Sequence, residues 1–219
     1  MNTFLPKLTV ALLLTTAVAL AEDKVPLKIE LPKPLKVGTP VPIKIPNLEP
    51  TLKGARPAFL VPVGTTNLAA GKTVTASDDT IMGTLDLLTD GDKAGDEGSW
   101  IELPPGKQWV QIDLAKESDL CGVLVWHYHS QKRAYKGVVI QVSDDPKFAA
   151  TATTTIYNND YENVTKLGKG SDNPYVESRF GLIADGKGAK GRYVRLYSNG
   201  NTSNEMNHYI EVEVYGVPQ

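Results

Sequence analysis

From residue 109 to residue 216 the chain is a series of short runs in which apolar and polar side chains alternate. No stretch among them keeps the three-to-four-residue apolar spacing of an amphipathic helix. The runs are "WVQIDL" (109–114), "CGVLVWHY" (121–128), "GVVIQVS" (137–143), "TTTIYN" (153–158), "RYVRLYS" (192–198) and "YIEVEVYG" (209–216). Turn-forming stretches separate them: "PPG", "SDDP", "LGKG", "DGKG" and "SNGN". Side chains of a strand point alternately to its two faces. In the last run Ile210, Val212 and Val214 therefore predict a core face, and Glu211, Glu213 and Tyr215 the opposite one. Short strands at this spacing predict an all-β sandwich or barrel.

The sequence before residue 64 has a different character. Residues 1–21, "MNTFLPKLTVALLLTTAVALA", combine Lys7, an apolar run from Leu8 to Leu20 and an Ala19-Leu20-Ala21 cleavage pattern, which predicts a signal peptide. The apolar run is short for a bilayer span. The expected product is secreted, periplasmic or held at the cell surface, with no transmembrane segment after cleavage. Residues 22–63 hold nine of the fifteen prolines, and "PLKI" at 26, "PLKV" at 34 and "PIKI" at 42 recur every eight residues. Proline removes a backbone donor and fixes φ, so this segment predicts an extended proline-rich arm or linker rather than a helix. Leu27, Ile29 and Leu31 alternate with Lys28 and Glu30, a pattern that lets pieces of the arm lie along a domain surface. The arm carries a net charge of +3 and residues 64–219 carry −6, which favours loose docking. Residues 64–219 form the expected β domain.

A formal net charge of −2 gives no reason to expect a nucleic-acid partner. The single cysteine, Cys121, excludes an intramolecular disulfide and reads as a buried core thiol. The chain has no G-x-S-x-G elbow, P-loop or Rossmann glycine pattern, so an enzyme is not the expectation.

Six motifs in order carry a family resemblance: "NLAAGKTVTASDD", "LLTDGDKAGDEGSW", "QWVQIDLAKESDLCGVLVWHYH", "GVVIQVSDDPKF", "GRYVRLYSNG" and "YIEVEVYG". Over residues 64–217 the chain resembles the discoidin, or coagulation factor V/VIII C-type, domain, whose jelly-roll, galactose-binding-like fold is shared by the family 32 carbohydrate-binding modules. The resemblance implies a non-catalytic β-sandwich that binds its ligand through loops at one end. Two departures stand out. "IDLA" ends in alanine where the family usually has glycine, and "DGDKAGDEGSW" is long and acidic. The resemblance also implies a structural Ca2+, with Asp90, Asp92 and Glu211 as side-chain ligands and carbonyls around Leu88 and Ile210; hard oxygen donors of this kind suit that cation.

The candidate ligand site lies in "HYHSQKRAY" and "YSNGNTSNEMNHY", loops that the resemblance places at the binding end. Tyr128 or Tyr135 would supply a flat apolar surface for a sugar ring. His127, His129, Arg133, Asn199, Asn201, Asn207 and His208 would supply hydrogen bonds to hydroxyls. Other readings stay open at this point. The asparagines and glycines would make a tight turn with the histidines capping a strand edge, or the three histidines would bind zinc or copper. The expected partner is an extracellular glycan or cell-surface polysaccharide. The alternative is a surface adhesion or assembly module that binds protein or the cell envelope.

Overall fold

The computed structural model describes residues 23–34, 42–52 and 54–218. The leader expected at 1–21 and most of the middle repeat at 34–37 lie outside the described residues. In chain order the strands are β1 (Lys24–Pro26), β2 (Leu60–Pro62), β3 (Thr66–Asn67), β4 (Val74–Ala76), β5 (Ile101–Leu103), β6 (Gln108–Trp126), β7 (Val139–Ser143), β8 (Thr153–Asn158), β9 (Leu182–Asp185), β10 (Lys190–Ser198), β11 (Asn207–Tyr209) and β12 (Glu211–Val217). Two short 3-10 turns, Leu85–Thr89 and Ala150–Ala152, are the helical elements among the described residues. The fold is the expected all-β jelly-roll sandwich.

The two runs expected at 109–114 and 121–128 join into one strand, β6. Its first half pairs with β10 and β4, and its second half with β12 and β9. Opposite β10 the ladder goes from Asp113 to Ser118 across a single residue, so "LAKE" bulges out with Ala115, Lys116 and Glu117 exposed. Ala115 sits there at φ 73°, the left-handed region where glycine is at ease. That backbone requirement accounts for the glycine usual at this position in the resembled family. Asp113 anchors the corner. Its carboxylate accepts the Ala115 N–H and takes the Arg192 guanidinium in a two-pronged pair, both contacts at 2.7 Å. A second bulge, where Tyr215 pairs Gly122 and Gly216 pairs Leu120, leaves Cys121 out of the ladder. The thiol is therefore half-buried beside the Thr65 hydroxyl, 3.6 Å away, and not in the core as its apolar setting suggested.

Ile112, Val123, Val125, Ile140, Leu196, Val212 and Val214 pack between the layers in the main core. The opposite face of the second half of β6 carries Leu124 and Trp126, both fully buried with Ile210. The arm covers this face. β1 pairs antiparallel with β2, and Leu27 and Ile29 pack on Leu124, Trp126, Ile210 and Tyr215 while Lys28 and Glu30 stay exposed. The third repeat shows the same alternation, with Ile43 and Ile45 half-buried and Lys44 exposed. Further along, the Glu49 N–H donates to Pro174 O and the Arg56 guanidinium donates to the carbonyls of Phe180 and Gly181. Apolar side chains and backbone hydrogen bonds dock the arm, a firmer attachment than charge attraction alone.

Candidate functional site

Where β6 ends at Trp126, the chain enters the loop 127–137. Beside it, β5 and β11 pair with His208 opposite Glu102. In "WIEL" the alternation puts Trp100 and Glu102 on one side and Ile101 and Leu103, both fully buried, on the other. Trp100, Tyr128 and His208 meet at this end of the sandwich. The half-buried Trp100 and Tyr128 rings stand edge to face, 5.3 Å apart at 66°, and Trp100 lies 5.5 Å from the His208 ring. The Arg133 guanidinium lies 4.6 Å from the centre of the Tyr128 ring, and its Nη2 donates to Gln131 Oε1 at 3.0 Å. Cation and ring hold one another in place.

His208 is fixed on both sides, with its Nδ1 2.9 Å from the Tyr135 hydroxyl and its Nε2 2.8 Å from Glu102 Oε2. Burial, then the nearby Arg133 guanidinium, pushes its pKa down to about 4, so the ring is neutral at pH 7. The proton placement follows. Tyr135 O–H donates to Nδ1, and Nε2–H donates to the Glu102 carboxylate, so the contact is a directed hydrogen bond and not an ion pair. Glu102 itself is about a quarter exposed and keeps acceptor capacity toward solvent. The result is two aromatic rings, a guanidinium and an oriented carboxylate on one rigid patch.

The other sequence-predicted residues fall elsewhere. His127 keeps to the Val125 side of the strand but is fully buried, out of reach of any ligand. Its Nδ1 lies 2.7 Å from Glu177 Oε1 and 3.1 Å from the Tyr175 hydroxyl, and its ring stacks on Tyr135 at 4.4 Å. His129 is buried too. Once the strand has ended its side chain turns away, and Nε2–H donates to Lys93 O at 2.9 Å, bracing the 93–95 loop together with the Ser130 Oγ–Gly95 O bond. Among the described residues no three histidine, cysteine or acidic side chains converge as a metal group, which removes the three-histidine metal site.

The asparagines are turn braces. Asn207 is fully buried, holding Pro104 O, Gly106 O and Gly200 N–H. Asn201 Oδ1 accepts from Ser203 and Asn204 N–H. Asn199 is half-buried and joins its backbone N–H to Lys136 O. The structure brings Tyr128, Arg133, Tyr135 and His208 together, but Tyr135, expected as a sugar-stacking face, is 2% exposed and stacked on His127, and Arg133 and His208 are buried as well. The sequence misses Trp100, Glu102 and Glu177, although the alternation in "WIEL" marks the first two as sharing a face.

Glu211 is fully buried with Oε2 accepting the Gly91 N–H at 3.2 Å and Oε1 without any hydrogen-bond partner. Burial raises its pKa to about 9, and the carboxylates of Glu213 and Asp90 add to the rise. An orphaned buried carboxylate oxygen beside the 90–92 turn fits a hard cation. The expected trio is reduced, however. Asp92 is exposed and spends Oδ1 on the Ala94 N–H, and Asp90 Oδ1 accepts the Asp92 N–H. Any cation here would lean on Glu211, Asp90 and carbonyl oxygens.

A family model described as F5/8 type C domain matches residues 73–212. No curated protein sequence matches the chain. Among solved structures the chain is similar to a fucolectin from striped bass serum (Morone saxatilis), with 19% identity over 70% of this chain and 48% of that one and a TM-score of 0.51. It is also similar to a family 89 glycoside hydrolase from Clostridium perfringens, with 20% identity over 70% of this chain, 15% of the hydrolase and a TM-score of 0.51. At these identities the likeness is one of fold.

Proposed function

The chain belongs to the F5/8 type C domain family, and from that premise we propose that it is an exported, non-catalytic protein that binds carbohydrate through the Trp100–Tyr128–Arg133 patch. One observation carries the reading: two half-exposed aromatic rings stand edge to face beside a fixed guanidinium and the carboxylate that His208 orients. Sugar rings offer a C–H face that packs on aromatic rings and hydroxyls that need directed donors and acceptors. Trp100 and Tyr128 meet the first need; Glu102, about a quarter exposed, meets the second, and Arg133, 4% exposed, holds the Tyr128 ring in place. The fucolectin likeness supports the fold on which such a patch stands. Export rests on the leader read at residues 1–21, and placement at the cell surface or beyond follows from it. Calcium, held by Glu211, Asp90 and neighbouring carbonyls, would neutralise the buried carboxylate and stiffen the 88–92 turn.

The test is a glycan panel probed with the mature full chain, with and without millimolar calcium. The expected result is retention of a defined set of sugars that is lost in Trp100→Ala. No retained glycan, or retention unchanged in Trp100→Ala, contradicts the reading.

A further inference from the structure

Tyr135, which bonds His208 of the patch, also lines an open groove of 810 Å³, within the range of about 300–1,000 Å³ usual for ligand sites. The seam between the two is rigid. The Tyr135 loop is zipped to the 199–202 loop by Lys136 N–H to Gly200 O, Asn199 N–H to Lys136 O and Thr202 N–H to Ala134 O. On the far wall Tyr161 is 36% exposed, and its hydroxyl is tied to Ser171 O and Asn173 Oδ1, so the ring is held in place with a free face. Val164 beside it is exposed as well. The buried Asn159 lines the groove too. It uses Oδ1 on the Val138 N–H, while its Nδ2, within electrostatic reach of the Tyr157 hydroxyl, has no hydrogen-bond partner at normal geometry. The arm closes the near side with Ile45, Pro46 and Asn47.

We propose that this groove is a second carbohydrate subsite, so that the protein takes a chain of neutral or amino-bearing sugars rather than one terminal residue. This rests on the sugar-binding reading of the Trp100–Tyr128 patch. The groove repeats the pairing of a fixed aromatic face with polar side chains and is joined to the patch through Tyr135, so successive units of one glycan chain would occupy both. Its charge selects the class. The exposed Glu162 and Glu205 line it against a single cation, Lys136, while the buried Asp160 spends both carboxylate oxygens on Val164 and Thr165. Carboxylates repel uronate polymers and accept hydrogen bonds from hydroxyl or ammonium groups.

The test is titration calorimetry of the full mature chain with glucose and glucosamine oligomers of one to six units, and with mannuronate oligomers of the same lengths. Affinity for the neutral and amino series is expected to rise at least tenfold from one unit to four, with no such rise for mannuronates. Tyr161→Ala, an exposed position, is expected to abolish the rise while leaving affinity for the single sugar and the melting temperature unchanged. A flat length profile in the wild type, a rise that survives Tyr161→Ala, or an equal rise with mannuronates overturns the groove assignment and leaves the patch standing. Absence of binding at every length overturns both.

Discussion

Ala115 shows most plainly how a single residue can be read from both ends. A non-glycine residue in the left-handed region costs about 1–2 kcal/mol, because Cβ crowds the following carbonyl. The bulge imposes that conformation: four residues of β6 pass one residue of β10, and the Asp113–Arg192 pair pins the corner. Ala115→Gly should raise stability by about 1 kcal/mol in urea denaturation, and an unchanged or lower midpoint would mean that the bulge relaxes in solution. The same scale explains which side chains the sequence reveals. Loop position marks Tyr128 as half-exposed, whereas Arg133, Tyr135 and His208, each 4% exposed or less, pack into the same end of the sandwich. Loop position suggests exposure for His127 and His129, yet both are buried. A strand that ends on Trp126 still has core beyond its last residue, and Glu177, fifty positions away, fills the space beside His127. Nothing local in the sequence announces that partner.

Among the elements, β6 and the arm decide the architecture. The two runs expected at 109–114 and 121–128 are one strand with a bulge between them, since period-two alternation does not distinguish a bulge from a gap between strands. The arm's repeat was legible as an extended strip with one apolar edge. What the sequence left hidden was its target, because Leu124 and Trp126 look like ordinary inward residues until β6 is seen to bury both faces. Leu27 and Ile29 are half-buried on that second face. Replacing both by serine should cost about 2 kcal/mol, following the roughly 25 cal/mol per Å² of apolar surface lost. Lys28→Ser should change stability by less than about 0.5 kcal/mol. Equal effects from the two changes would show that the arm does not rest on Leu124 and Trp126 in solution.

For the molecule as a whole, Glu211 ties stability to pH and to cations. Its pKa in the folded chain is about 9 against an ordinary 4.5, so the unfolded chain releases this proton first. Its contribution is complete below pH 4.5 and is lost as pH rises toward 9. Chelator-treated protein should therefore show a melting temperature that falls across this window, and Glu211→Gln should flatten the fall. Calcium at neutral pH should reverse it, because a ligand at a hundred times its Kd adds about 2.7 kcal/mol and each kcal/mol moves the midpoint by about 2–4 °C in a chain of this size. A flat pH profile in the wild type with no calcium shift would leave Glu211 a purely structural group. That the whole sandwich serves to present the Trp100–Tyr128–Arg133 patch to a sugar is the central proposal. Its most direct test is to titrate the best glycan from the panel into wild type and Tyr128→Ala, with melting curves run alongside. Affinity is expected to fall ten- to a hundredfold, about 1.4–2.8 kcal/mol, with little change in melting temperature. Unaltered affinity in Tyr128→Ala would contradict it.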